Sequence, residues 1–437
     1  MGDKDKQHHR GPGSFCVPRA ALEALLDAKA SAYEICAYLV LAKFTDETGK
    51  FSTAAISAVN RYTGANKVKG GPIDRAITRL KTIRAKGRRQ VPKKRGGGME
   101  WQELDLGPIL WDRRTWVEHG GEEPKDGPHE RAKVLHVLSD FGEDLADRVW
   151  FGNGLVDGFA GFAQPLKALK DAGDVAARLL LTMYMANDME LWGGVRPIGD
   201  GAGPWVHYEP VGDGEINLWD GVRLIRSKRA GEVGPGDTYQ RTWSPSGKVS
   251  SWWKAHADAS GPVWRALEAL QSSGLIYEVV MVLNRNPNPA EFGGGGKYSD
   301  IPPDAEPYYE LDTRSRHGYK PEGEEGIGAA TARTAGDLGY PVTLEGGQFD
   351  GTYAAIVPSG YGAMIAGVYR LRFRPSNPKN AGVASAWQRI GQGNREGFEL
   401  VQSIRASRKL EPLTPPWEAA SKAKDRKVAS TAESEQS

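Results

Sequence analysis

Cysteine is nearly absent: Cys16 and Cys36 are the two in 437 residues, too few for a disulfide framework or a thiolate metal cluster. A chain of this length buries enough apolar surface to need neither. No window approaches the ~18 consecutive apolar residues of a membrane-spanning helix. Residues 1–13 lack the apolar core of a secretory signal. A soluble, cytoplasmic protein with no membrane partner is expected. Metal-ligand spacing is missing too. Neither His-x-His nor His-Glu-x-x-His occurs, and His119, His129, His136, His207, His256 and His317 are scattered. Nucleotide-binding loops fail on single residues. At Gly293–Lys297, Tyr298 stands where a phosphate loop needs Ser or Thr, and Glu291 takes the leading glycine's place. Gly326-Ile327-Gly328 is followed by Thr331 where a dinucleotide fold has its third glycine. No catalytic residue, metal or cofactor is therefore expected.

Net charge is also small, +2 overall, yet it is unevenly spread. Between Arg61 and Arg95 lie thirteen Lys or Arg (61, 67, 69, 75, 79, 81, 84, 86, 88, 89, 93, 94, 95) against the single acid Asp74, a surplus of twelve, so the remainder must sum to minus ten. Solvated faces normally mix signs; a one-sign cluster repels itself until a polyanion relieves it. Nucleic acid is the obvious polyanion.

The same stretch carries helical periodicity. Ser31 to Phe44 places Ile35, Cys36, Leu39, Val40 and Phe44 on one face of a first helix. Ser52 is placed to cap a second that turns Ile56 and Val59 inward, and Gly64 to end it in a left-handed conformation. A third begins near Pro72, whose missing N–H suits a first helical turn. Its Ile73, Ile77 and Leu80 stack on one side, with Arg75, Thr78, Arg79 and Thr82 on the other. Long donors on an exposed helix suit the DNA major groove. Lys67 and Lys69 lie in the turn entering that helix, where phosphate is favoured. Arg84, Lys86, Arg88, Arg89, Lys93, Lys94 and Arg95 lie on a basic hairpin, with Gly96-Gly97-Gly98 near its tip and Trp101–Leu104 returning. Such a wing suits the phosphate backbone or the minor groove. The competing reading is a solubilising basic surface.

The rest is less patterned. Residues 118–130 are acidic and Gly/Pro-rich, the composition of a linker. A second set of three helices is expected from Asp174, which can cap the first, through Ile216–Arg226, to a third opened by Ser260-Gly261-Pro262 and closed at Gly274. Strands follow at 275–283, 308–312, 353–357 and 364–373. In the last, Tyr369, Leu371 and Phe373 alternate with Arg370, Arg372 and Arg374, so period two puts three arginines on one face. That row is either a second phosphate-gripping ribbon or the wet side of an antiparallel strand. Tryptophans at 192, 205, 219, 243, 252, 253 and 264 mostly fill gaps under loops; Trp252-Trp253-Lys254 has the alternative of a protein contact or base-stacking platform. A final helix is expected at 389–408.

The expected class is α+β: two winged-helix modules with small antiparallel sheets, joined by a linker, between disordered termini. The boundaries are 1–13 (arm), 14–117 (first module), 118–148 (linker), 149–408 (second module with insertions) and 409–437 (tail). This layout resembles the tandem winged-helix replication initiators of plasmids and some phages. The resemblance rests on Ser31–Arg95 and more loosely on Asp174–Arg374, and departs from the pattern in the long turn Gly64–Gly71. It implies duplex DNA as partner, a homodimer through one module, and contact with replication or transcription machinery. It carries across to Arg75, Thr78 and Arg79 on the helix, Lys67 and Lys69 in the turn, and the wing bases. The expected function is sequence-specific DNA recognition, as a replication initiator or a transcriptional regulator of a mobile element. A protein-interaction scaffold, or a nuclease or recombinase with an unrecognised site, are the alternatives.

Overall fold

The computed structural model describes residues 10–11, 13–46, 48–92, 99–115, 133–141, 148–159, 161–197, 203–218, 221–233, 262–285, 305–314, 327–340, 352–359, 362–375 and 381–418. The chain is mixed α+β, with several small antiparallel sheets and one larger, curled one. It divides into two compact units, each discontinuous: Met1–Met185 with Asp258–Leu275 and Arg372–Lys379, and Ala186–Ala257 with Ile276–Leu371 and Asn380–Ser437. The division does not follow the expected boundaries near 118 and 148.

The first unit runs β1 (Arg10–Gly11), β2 (Ser14–Pro18), α1 (Arg19–Asp27), α2 (Ala32–Lys43), β3 (Phe51–Ser52), α3 (Ile56–Thr63), α4 (Pro72–Leu80), β4 (Arg84–Pro92), β5 (Met99–Pro108), β6 (Leu110–Thr115), β7 (Lys133–Leu138), β8 (Arg148–Gly152), α5 (Gly154–Asp157), α6 (Pro165–Ala172) and α7 (Asp174–Met185). It is completed by α8 (Pro262–Ser272). Its centre is α2. The sequence AYEICAYLVLAK is apolar all round, and a helix of that kind must be covered on every side. Ten of its twelve residues are buried, from Ala32 to Ala42, so the single inward face expected here is in fact a whole cylinder. Each buried Leu or Ile contributes roughly 1.5–3 kcal/mol relative to exposure.

Ser31 starts α2 with a capping box: its hydroxyl accepts from the Glu34 N–H while the Glu34 carboxylate accepts from the Ser31 N–H. Asp174, expected to cap its own helix, instead accepts from the Ala32 N–H at 2.8 Å, where a carboxylate favours the exposed N–H groups of α2. Ser52 caps nothing. It lies in β3 and donates to the Leu41 carbonyl, and α3 begins after Ala55 with Ile56 turned outward.

The expected linker contains β7, which pairs with both β6 and β3. Between Leu135 and Leu138 its residues are half-buried or buried, and a strand covered this way cannot be a solvated connector. The order helix, strand, helix, helix, hairpin is present. However, β3 pairs with β7, and the hairpin β4–β5 forms a two-stranded sheet of its own.

The second unit holds β9 (Asn187–Asp188), β10 (Gly194–Val195), β11 (Trp205–Leu218), β12 (Val222–Val233), β13 (Ile276–Arg285), β14 (Glu306–Arg314), α9 (Gly328–Asp337), β15 (Thr352–Pro358), β16 (Gly362–Leu371) and α10 (Ala381–Ser407). Six strands form one antiparallel sheet in the order β14-β13-β16-β11-β12-β15. The terminal strands of that order meet again: the Tyr309 hydroxyl on β14 donates to the Ile356 carbonyl on β15, and Tyr353 on β15 donates to Asp312 on β14. The sheet is therefore curled into a half-barrel, as accumulated strand twist favours.

A second three-helix set is not what the chain builds. The expected first and third helices are α7 and α8 of the first unit, and the expected helix at Ile216–Arg226 is the end of β11 and the start of β12. There Leu218, Val222 and Ile225 have helical spacing, but the first ends one strand and the other two open the next, and long-range pairing decides. The strand expectations at 275–283, 308–312, 353–357 and 364–373 match β13 to β16 within a few residues, and the last helix lies within α10, which begins eight residues earlier than expected. Trp192 and Trp205 fill the core beside Tyr277, Val279 and Val368; Trp219, Trp243 and Trp252-Trp253-Lys254 lie outside the described residues, as do Gly293–Tyr298. The tail is ordered further than expected: the Arg405 guanidinium donates to the Glu411 carbonyl, and Trp417 meets the Phe398 ring edge-on.

Candidate nucleic-acid interface

α4 owes its orientation to its sequence. Gly71 precedes it in an extended conformation, Pro72 opens its first turn, and Ile73, Ala76, Ile77 and Leu80 are buried against α2. Arg75, Thr78, Arg79 and Thr82 are left exposed, as expected. α3 ends at Gly64, whose φ of +60° is the left-handed conformation glycine adopts without a Cβ clash. Between them the long turn is pinned: Ala65 N–H donates to Asn60 at 3.0 Å, Gly71 N–H to Val68 at 2.9 Å, and Gly70 N–H to the Asp74 carboxylate at 2.6 Å. Lys67 and Lys69 project from it into solvent.

The exposed arginines of α4 differ in their attachments. Among the described residues Arg75 pairs with no acid. Arg79 is held: its guanidinium donates to Glu34 at 3.1 Å and to the Ala28 carbonyl at 3.0 Å. Ala28 ends α1, and Lys29 beyond it has φ +51°, a strained conformation for a residue with a Cβ. Arg178 on α7 donates to the carbonyls of Lys29 and Ala30. Arg79 is thus half of a two-arginine clamp that closes the α1–α2 corner. The Thr78 hydroxyl donates back to the Asp74 carbonyl within the helix.

The hairpin is less positive than its first strand. β5 returns Glu103 and Asp105 across from the bases: Arg84 bonds Asp105 at 2.7 Å, and Lys86 lies 3.7 Å from Glu103. Hydrogen bonds from Arg84 and the Gly107 N–H hold the Asp105 carboxyl below its ordinary range. These pairs are open to solvent and contribute little stability, but they offset two of the seven positive charges expected of the wing. Lys81, at the end of α4, is tied to Asp112 on β6, which also bonds His136 on β7 at 3.0 Å. Arg88 and Arg89 take backbone register positions opposite Glu103 and Gln102; Lys93, Lys94 and Arg95 lie outside the described residues.

The arginine row at the end of β16 is not a wet face. Arg370 has no exposed surface and pairs with Glu310, equally buried, under the Trp387 ring. β16 lies between β13 and β11, and its Arg370 side is the side of Ala366 and Val368, which packs with Ile390. Period two therefore carries Arg370 into the core, where only a buried acid makes it tolerable. In the first unit, Arg372 is half-buried over the rings of Phe159 and Phe162 and donates to the Gly274 carbonyl, while Arg374 is half-buried. The three do not form a phosphate-gripping ribbon.

Lys67, Lys69, Arg75 and Thr78 are thus exposed along the turn and α4, and Arg84 and Lys86 are exposed on the hairpin that follows in sequence. Sequence reasoning missed the acids that temper them. A signal was available: Glu103 and Asp105 recur at period two in the strand that must face Arg84 to Arg89 across a hairpin. Among the described residues no group of three or more His, Cys, Asp or Glu is arranged to hold a metal ion, and no helix is long and apolar enough to cross a membrane. Compared with family models, curated proteins and solved structures, the chain matches none.

Proposed function

We propose that the surface formed by the α3–α4 turn and α4 binds double-stranded DNA and recognises sequence, in the manner of the winged-helix initiators that the element order resembles. One observation carries this reading: α4 presents an exposed Arg75 that pairs with no acid among the described residues, with exposed Lys67 and Lys69 at its entrance, from a packed frame in a chain whose remaining charge is negative. Arg75 reads a base edge by paired hydrogen bonds. Lys67, Lys69 and the hairpin bases supply salt-dependent phosphate attraction. Arg79, tethered to Glu34, positions the helix. The biological role that follows is replication initiation or transcriptional regulation of a mobile element, with recognition as the whole mechanism.

Selection of bound fragments from a random duplex pool tests it. The expected result is a shared motif, with Arg75→Ala relaxing preference at one base pair by ~1–3 kcal/mol and Lys67→Ala weakening all sequences alike. Direct repeats in the selected fragments indicate an origin and an inverted repeat an operator. No duplex affinity at low salt would overturn the reading and favour a protein partner.

A further inference from the structure

The most exposed large apolar side chain among the described residues is Val68, at 62 %. It stands between Lys67 and Lys69 in the α3–α4 turn. Single exposed apolar residues are ordinary on protein surfaces, but this one is held out by construction. Its carbonyl accepts from the Gly71 N–H at 2.9 Å and its own N–H donates to Asn66 at 3.0 Å. Gly70 is left-handed at φ +70° and is fastened to Asp74. A Cβ at Gly71 would come within 2.7 Å of the Val68 carbonyl, so this tight form of the turn requires glycine there. The valine cannot fold back without undoing that frame.

Its surroundings select the partner. From Thr48 to Ile73 the sequence contains no acid, while Lys67, Lys69 and Arg61 are all exposed. The next acid, Asp74, is engaged by the Gly70 N–H, and an isopropyl group flanked by two exposed lysines fits an anionic polymer that also offers methyl groups. Duplex DNA does so in the major groove, where each thymine displays a C5-methyl beside the phosphate track.

We propose that Val68 is a specificity-determining residue that packs on a thymine methyl group at the edge of the major groove, while Lys67 and Lys69 grip the flanking phosphates. This rests on the DNA-binding reading and adds to it a base preference that α4 itself does not supply. Phosphate contacts set affinity for any sequence; the methyl contact discriminates.

Uracil lacks only the C5-methyl, so replacing thymines one at a time in a selected duplex isolates the contact. For the full-length protein, one thymine-to-uracil change should weaken binding about fourfold, the worth of one buried methyl. V68A should bind the thymine duplex about as weakly as the unaltered protein binds that uracil duplex, and should be indifferent to the change. K67A should lose affinity for both duplexes equally and lower the salt dependence of binding. Equal responses of the unaltered protein and V68A to uracil at every position would overturn this proposal and leave the DNA reading standing. Failure of the unaltered protein to bind any duplex would overturn both. A thermal melt of V68A matching the unaltered protein excludes misfolding, as expected for a side chain this exposed.

Discussion

Two stretches of this protein carry arginine at the period of their secondary structure, and they meet opposite fates. On α4, Ile73, Ile77 and Leu80 are buried and Arg75, Thr78 and Arg79 face solvent. On β16, Tyr369 and Leu371 are buried and so is Arg370 between them. The difference lies in what covers the second face. α4 packs on its neighbours with one side and leaves the other open, whereas β16 has a strand on each edge and buried residues on both faces. Periodicity reports which residues share a face. Whether that face is wet is decided by tertiary neighbours, which a short window of sequence does not contain.

The sharpest way to break this comparison is to remove one arginine from each stretch and measure stability by urea denaturation. Arg370→Ala leaves Glu310 charged and buried without its partner, which costs about 3–5 kcal/mol. Arg75→Ala removes a solvated side chain and should stay within about 0.5 kcal/mol. The double substitution Arg370→Met with Glu310→Leu should recover most of the loss, because two apolar side chains of similar volume need no counter-charge. Similar losses for Arg370→Ala and Arg75→Ala would mean that the assignment of buried and open faces is wrong.

A smaller effect separates two arginines on the same exposed face. Arg79 is half-exposed and bonds both Glu34 and the Ala28 carbonyl. Arg79→Ala should lower stability by ~1 kcal/mol and weaken all duplexes in proportion, without altering which bases are preferred. Arg75→Ala should do the reverse, with stability unchanged and preference relaxed. If Arg79→Ala instead changed base preference with full stability retained, the clamp would not be its role.

Much of this was legible in the residues. Ser31 as the start of the first helix, Gly64, Pro72 and the apolar stripe of α4 are local signals, and each is where local chemistry places it. The apolar run from Leu275 to Leu283 was readable as a central strand because both of its faces are apolar. What stayed hidden is non-local. Ser52 has the chemistry of a cap, yet pairing of β3 with β7 claims it. Residues 216–226 suit helix or strand, and the β11–β12 ladder settles it. The charge count that drew attention to residues 61–95 stopped before Glu103, Asp105 and Asp112, the three acids that bind Arg84, Lys86 and Lys81. Cys36 was correctly placed on a buried helix, but nothing nearby in sequence indicates that burial pushes its thiol up to about 12.

The smallest expected effect concerns those acids, and it distinguishes a structural tie from a surface one. Burial raises the affinity of Asp112 for its proton, but hydrogen bonds from Lys81 and His136 outweigh it and the carboxyl is held below the ordinary range. A carboxylate whose folded pKa is depressed contributes stability above its unfolded value, and that contribution is lost as pH falls through the folded value. The advantage of the unaltered protein over Asp112→Asn should therefore be full above about pH 5 and fade below about pH 4. Asp105 is depressed as well, chiefly by Arg84, but both partners are more than half exposed and screened by water and salt. Asp105→Asn should accordingly show a much weaker difference that vanishes in ~0.5 M salt. Thermal melts across pH 2–7 at two salt concentrations measure both. The Asp112 tie joins the end of α4 to β6 and β7, so its loss should also loosen α4 and reduce duplex affinity at neutral pH, whereas loss of Asp105 frees Arg84 for phosphate and should raise it. If both substitutions shift affinity in the same direction, Lys81 and Arg84 do not divide between frame and surface in this way.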